Sequence, residues 1–155
     1  MTNERPYSSI IVDGVEQAPS RAMLYPTGFK REDFNKPQIG IASTWSMVTP
    51  CNMHINELAD AAAAGADEAG AKSVFFNTIT VSDVISMGTP GMLYSLVSLV
   101  VIADPIDTVV GAQVFDRFVT LDGCSPHMPA CGSSLSPLDC TTVLVFSLPA
   151  PPAPA

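Results

Sequence analysis

The residues with the most chemical potential are the four cysteines, Cys51, Cys124, Cys131 and Cys140, together with His54, His127 and a few isolated aspartates. Cys51 follows Thr49 and Pro50, which read as the N-cap and first position of a helix. The helix dipole and free N–H groups there favour a thiolate, which can ligate metal or attack an electrophile. The competing reading is a buried structural thiol. Cys124 follows a predicted strand and a glycine, where backbone can approach a ligand closely. Two thiols on separate loops at one sheet edge suit an iron–sulfur cluster. Asp83, in VSDVISMG, lies between a strand and a helix; its carboxylate can bind a divalent cation through oxygen or simply cap the helix.

A second grouping competes. Cys124, His127, Cys131 and Cys140 supply three thiols and an imidazole, a conceivable zinc set that lacks paired C-x2-C knuckles. His54, one turn into the first long helix, reads as a half-buried polar residue. Glycine-rich phosphate loops and the G-x-S-x-G nucleophile turn are absent from the sequence.

The elements that position these residues follow from the hydropathy pattern. Residues 1–20 read as a polar, irregular lead-in, and 21–36 as a short helical piece broken by Pro26 and Gly28. QIGIAS, residues 38–43, is a compact apolar strand. A helix runs from Cys51 to about Ala69 through an alanine block and stops at Gly70. Residues 73–79 form a second strand. A loop carrying Asp83, Ser86 and Gly88 leads to a helix over about 92–103 that is apolar all round, so it belongs inside a protein or against a partner. Helix continues over 105–112 after a kink at Pro105. Residues 117–121 and 141–146 are the third and fourth strands, with a short, poor helix between them. Residues 148–155 (LPAPPAPA) are an extended Pro/Ala-rich tail. Strands alternating with helices indicate an α/β domain over 21–147, a mostly parallel sheet flanked by helices. Ligands bind outside the C-terminal strand ends of such sheets, which singles out loops 44–51, 80–88 and 122–128.

Composition narrows the function. With 155 residues, 47% hydrophobic and 14% charged, the chain fits one domain with a sizeable core and is not a disordered acidic chain. A net charge of −8 and seven scattered basic residues exclude a counterion-displacing nucleic-acid reader, and argue equally against an anionic membrane surface. The apolar stretch 91–103 ends at Asp104 and Pro105, too short to span a bilayer. No apolar targeting segment is evident near Met1, so the expected location is the cytoplasm, or an organelle if a targeting segment precedes the chain.

The segments KPQIGIASTWSMVTPCNMHINELA, FNTITVSDVISMGTPGM and YSLVSLVVIAD resemble the N-terminal domain of the dihydroxy-acid and sugar-acid dehydratases. The resemblance is most specific at TPCN and VSD-ISMG, runs from about Ser20 to Phe146 and weakens after Cys124. It implies a hydro-lyase that converts a small 2,3-dihydroxy acid to a 2-oxo acid in branched-chain amino acid synthesis, usually as a homodimer. It also implies an iron–sulfur cluster (2Fe–2S or 4Fe–4S) acting on the departing hydroxyl, a Mg²⁺ holding the substrate, and a serine base from a C-terminal domain. Residue by residue, Cys51 and Cys124 match cluster cysteines and Asp83 matches a Mg²⁺ ligand, while Cys131 and Cys140 match no family ligand.

The departures concern the same site. Ser125 and Pro126 stand where the family has an Asp and a carbamylated Lys, both Mg²⁺ ligands. The third cluster cysteine, the serine base and the C-terminal Mg²⁺ ligand have no counterpart. Tyr25 and Leu99 stand where arginines are usual, Met47, Pro90 and Val100 where glutamates are, and Val84 where a glycine is. The expectation is a family scaffold that does not turn over substrate alone. The alternatives are a non-catalytic remnant that docks through the apolar helix, or a zinc module on 124–140.

Overall fold

The structure is a computed structural model that describes residues 4–123, 131 and 141–147. Four strands form one sheet: β1 (Gln38–Ser43), β2 (Lys72–Asn77), β3 (Arg117–Asp122) and β4 (Thr141–Phe146). Their order is β2-β1-β3-β4 and every pair is parallel. Helices α3 (Ile55–Glu68) and α5 (Tyr94–Gln113) carry the crossovers, as parallel strands require. The expected α/β class is therefore what the chain forms.

Each face of the sheet has its own core. Along β1 successive side chains alternate faces. Ala42 packs with Phe118, Phe115 and the α5 residues Ile102, Ile106 and Val110. Ile41 packs on the other face with Leu121 and the α3 residues Ile55 and Ala59. Full burial of such aliphatic side chains stabilises by about 1.5–3 kcal/mol each, so the two clusters together fix the layers. Gly40 is required where it is: a Cβ there would run into the Phe115 ring. α3 ends at Gly70, whose φ of 87° suits glycine, with Gly70 N–H donating to Asp67 O and Ala71 N–H to Ala66 O. These two bonds satisfy carbonyls the helix end would otherwise leave open.

Several expectations change. Within residues 1–20, α1 (Ser9–Val12) forms and α2 (Ala18–Leu24) begins, so this stretch is not an irregular lead-in. Val12 is buried against Phe29 and Phe34, and Asp116 receives the Tyr7 and Ser8 N–H groups at 2.9 and 3.0 Å. The helix after β1 starts later than expected. Pro50–Asn52 is a single 3-10 turn, and α3 begins at Ile55 with His54 at its N-cap. Thr49 makes no capping bond. The apolar helix is one unit, α5, with Pro105 inside it and a 3-10 turn, Pro90–Leu93, in front. Pro90–Gln113 is therefore long and apolar enough to cross a membrane by length and composition, which corrects the reading that the stretch stops short at Asp104. One face of α5 (Ser95, Ser98, Ile102, Ile106 and Val110) is buried, while Leu93, Leu96, Val97 and Val100 are exposed. The Pro/Ala-rich tail and most of the expected short helix lie outside the described residues; Cys131 is helical.

Candidate functional site

The strand register sets the site. Ser43 lies opposite Asn77 and Leu121, and Leu121 opposite Val145, so all four strands end at one edge. The loops holding Cys51 and Asp83 leave that edge from the adjacent strands β1 and β2. Cys124 is outside the described residues, as are His127 and Cys140.

Cys51 is a half-buried free thiol in the middle of the 3-10 turn. It is not at the N-terminus of α3, so the argument for a thiolate from that helix dipole falls. Its carbonyl packs directly against Gly123: a Cβ on Gly123 would overlap that oxygen and crowd Ile55 Cδ1. The end of β3 is thus in contact with the Cys51 backbone.

Around this contact runs a buried polar network. Asn52 and Asp122 are fully buried and Thr44 is 1% exposed. Asn52 Nδ2 donates to the Thr44 carbonyl at 2.9 Å and to Thr44 Oγ1 at 2.6 Å. The Thr44 hydroxyl donates toward Leu121 O and Asp122 Oδ1, each at 3.1 Å. Asp122 Oδ1 also accepts the Gly123 N–H at 2.8 Å. None of these three side chains was assigned a role from sequence, although Asn52 belongs to the TPCN motif that marks Cys51.

Asp83 is the first residue of α4 (Asp83–Ser86), with Ser82 at the N-cap. Its Oδ1 is buried and accepts no hydrogen bond from the described residues. Thr49 Oγ1, Asn52 Oδ1 and Thr78 Oγ1 are in the same condition. Buried polar atoms are ordinarily matched, so these four at the strand-end edge are open to a ligand, ion or water. An unmatched carboxylate oxygen suits a hard cation, and a half-buried free thiol suits a soft one. Individually, Asp83 and Cys51 fit these roles. No set of three His, Cys, Asp or Glu able to hold a metal is assembled among the described residues.

Cys131 behaves differently. It is fully buried with Ala42, Ile102 and Phe118. Burial, and secondarily the Asp122 charge, pushes its thiol up to about 12. It packs as a small hydrophobe. His54 is half-buried as expected, with Nε2 against Ser147 Oγ at the end of β4.

Residues 36–152 match the model of the dihydroxy-acid/6-phosphogluconate dehydratase N-terminal domain, and the chain belongs to that family. Its relatives include the dihydroxy-acid dehydratase of Vesicomyosocius okutanii, 63% identical over 92% of this chain and 26% of that protein. Those of Ruthia magnifica (62% identical; 94% of this chain, 26% of that protein) and Methylococcus capsulatus (61%; 92% and 25%) are similar to it to nearly the same degree. The chain thus spans about a quarter of the length of these relatives.

Proposed function

We propose that this chain forms the N-terminal part of a hydro-lyase that removes water from a small 2,3-dihydroxy acid to give a 2-oxo acid, and that the chain alone does not complete the reaction. The observation that carries this reading is the buried, unmatched Oδ1 of Asp83 on the strand-end edge that also bears Cys51, in a chain of this family. Cys51 and Cys124 would give thiolates to an iron–sulfur cluster (2Fe–2S or 4Fe–4S), and Asp83 an oxygen to Mg²⁺. When bound, such metals supply the electrophile that a poor leaving group such as hydroxide needs, and clamp a carboxylate so that the adjacent C–H becomes acidic.

The residues present do not close that site. Ser125 and Pro126 offer neither carboxylate nor carbamate, so no step of the reaction is assigned to this chain. Its own contribution is scaffold: the Thr44–Asn52–Asp122 network and the Gly123 contact hold the Cys51 loop. The proposed location is cytoplasmic or organellar, and the proposed assembly is the homodimer of the full-length family. The test is anaerobic reconstitution with iron and sulfide in the presence of Mg²⁺, followed by a 2-oxo acid assay on dihydroxyisovalerate. The chain alone should give no turnover, and the chain carrying Ser125→Asp and Pro126→Lys, mixed with the remaining portion of a relative, should give some. Turnover by the chain alone contradicts the reading of incompetence, and none in the mixture contradicts the hydro-lyase role.

One observation favours a second reading, a non-catalytic scaffold that docks on a partner. Leu96, Val97 and Val100 of α5, with Leu93 just before it, are exposed apolar side chains of the kind a partner surface covers. Size-exclusion chromatography of a stable, well-behaved monomer contradicts it.

A further inference from the structure

We propose that Thr44 and Asn52 are positioning residues that fix Cys51 against the end of β3; the inference rests on the reading of Cys51 and Cys124 as paired thiolates. The segment between them is held chiefly at its two ends. Met47 and Val48 are 77% and 72% exposed, so the middle of this loop is not anchored by apolar packing. Its other side-chain bonds are local: Ser43 Oγ accepts the Trp45 N–H and Ser46 Oγ accepts the Val48 N–H. What returns the chain to its origin is the Asn52 amide, bonded to the backbone and side chain of Thr44. Thr44 fastens it to the neighbouring strand twice, through its backbone N–H at the Leu121 carbonyl and through its hydroxyl at the Leu121 carbonyl and Asp122 Oδ1. Asn52 directly follows Cys51, so fixing one backbone fixes the other.

A loop that needed only closure would stop there. The second observation is that Asp122 Oδ1 also accepts the Gly123 N–H, and Gly123 lies against the Cys51 carbonyl with no room for a Cβ. The network therefore runs from the residue after Cys51 to the residue before Cys124. A buried network of this kind has one low-energy arrangement, because each unmatched member costs its full desolvation. Its consequence is a set approach of Cys51 to the strand end without any metal.

The test uses the 155-residue chain, reduced and metal-free, treated with dibromobimane, a short bifunctional thiol reagent. Peptide mapping reads the yield of the Cys51–Cys124 bridge. The parent chain should bridge. Thr44→Ser, which keeps the hydroxyl, should bridge as well. Thr44→Val, nearly isosteric but without it, should bridge about tenfold less, the population shift expected when one buried hydrogen bond is lost. Asn52→Ala should fall similarly, and circular dichroism restricts the comparison to variants folded at the assay temperature. Equal bridging in the parent, Thr44→Val and Asn52→Ala overturns the positioning role while leaving the pairing of the two cysteines intact. Equal loss in Thr44→Ser and Thr44→Val also overturns it, because a packing role does not distinguish a retained hydroxyl from a lost one. Absence of the bridge in the parent overturns the pairing itself, and the inference with it.

Discussion

The two edges of the sheet treat a carboxylate in opposite ways. At the edge where the strands begin, Asp116 is buried and saturated: Oδ1 accepts from Tyr7 and Ser8, and Oδ2 from the Gln38 N–H at 2.8 Å. At the edge where they end, Asp83 keeps a buried Oδ1 with no donor among the described residues. Neutral orphans occur at both edges, since Ser8 Oγ and Gln38 Nε2 are unmatched among the described residues too, and Asp107 Oδ1 on α5 is another buried carboxylate oxygen without a donor there; of Asp83 and Asp116, only Asp83 is left so. A saturated carboxylate belongs to folding. An unsatisfied one is tolerated where something other than the fold uses it.

The largest expected effect separates these roles. Asp116→Ala leaves three backbone N–H groups without their acceptor and should destabilise the chain by about 3 kcal/mol or more. Urea unfolding should show a lower midpoint at unchanged slope. A shift equivalent to less than about 1 kcal/mol would remove the contrast between the edges.

Next in size is Gly123→Ala. The added methyl overlaps the Cys51 carbonyl and crowds Ile55, so a cost of about 2 kcal/mol is expected, as for other overpacked sites. A neutral result in the same unfolding experiment would mean that the end of β3 gives way freely.

Asp83→Ala should do the reverse of Asp116→Ala. Removing an unmatched buried oxygen should leave stability unchanged or raise it by up to about 1 kcal/mol, as at other sites shaped for function. A clear loss in thermal melting would make Asp83 a structural residue.

The smallest effect concerns Asp33. Burial alone would raise its pKa, but the Lys36 ammonium at 2.7 Å and the Lys30 N–H outweigh burial and hold it below the usual carboxylate value. A carboxylate depressed on folding stabilises above its unfolded pKa and loses that contribution as pH falls through the folded one. Stability should therefore drop below about pH 4, and Asp33→Asn should flatten that part of the profile. An unchanged profile would mean that the Lys36 pair contributes nothing.

Much of the fold was legible because local pattern decided it. Gln38–Ser43 and Thr141–Phe146 are short apolar runs, and both strands have the bounds read from sequence. What escaped was settled at long range. α1 depends on Asp116, 108 and 109 positions away from the residues it anchors, and no hydropathy window spans that distance. The late start of α3, at Ile55, goes with the tie of the Asn52 side chain back to Thr44, which no local pattern announces. The site divides similarly. Cys51 and Asp83 were found through their motifs, and their roles as ligands remain proposals. Thr44, bonded to Leu121 and Asp122 across 77 and 78 positions of sequence, and Asp122 itself carry no motif of their own.

The central claim is that Cys51 and Asp83 are donors left from a metal pocket that this chain alone does not close. The most direct measurement is iron, sulfide and Mg²⁺ per chain after anaerobic reconstitution. It compares the parent, Cys51→Ser and Asp83→Ala, each alone and, with Ser125→Asp and Pro126→Lys added, mixed with the remaining portion of a relative. The account predicts little metal on any chain alone. In the mixture the parent should gain iron lost in Cys51→Ser and Mg²⁺ lost in Asp83→Ala. Equal loading of all three chains in the mixture, or full loading of the parent alone, would contradict it.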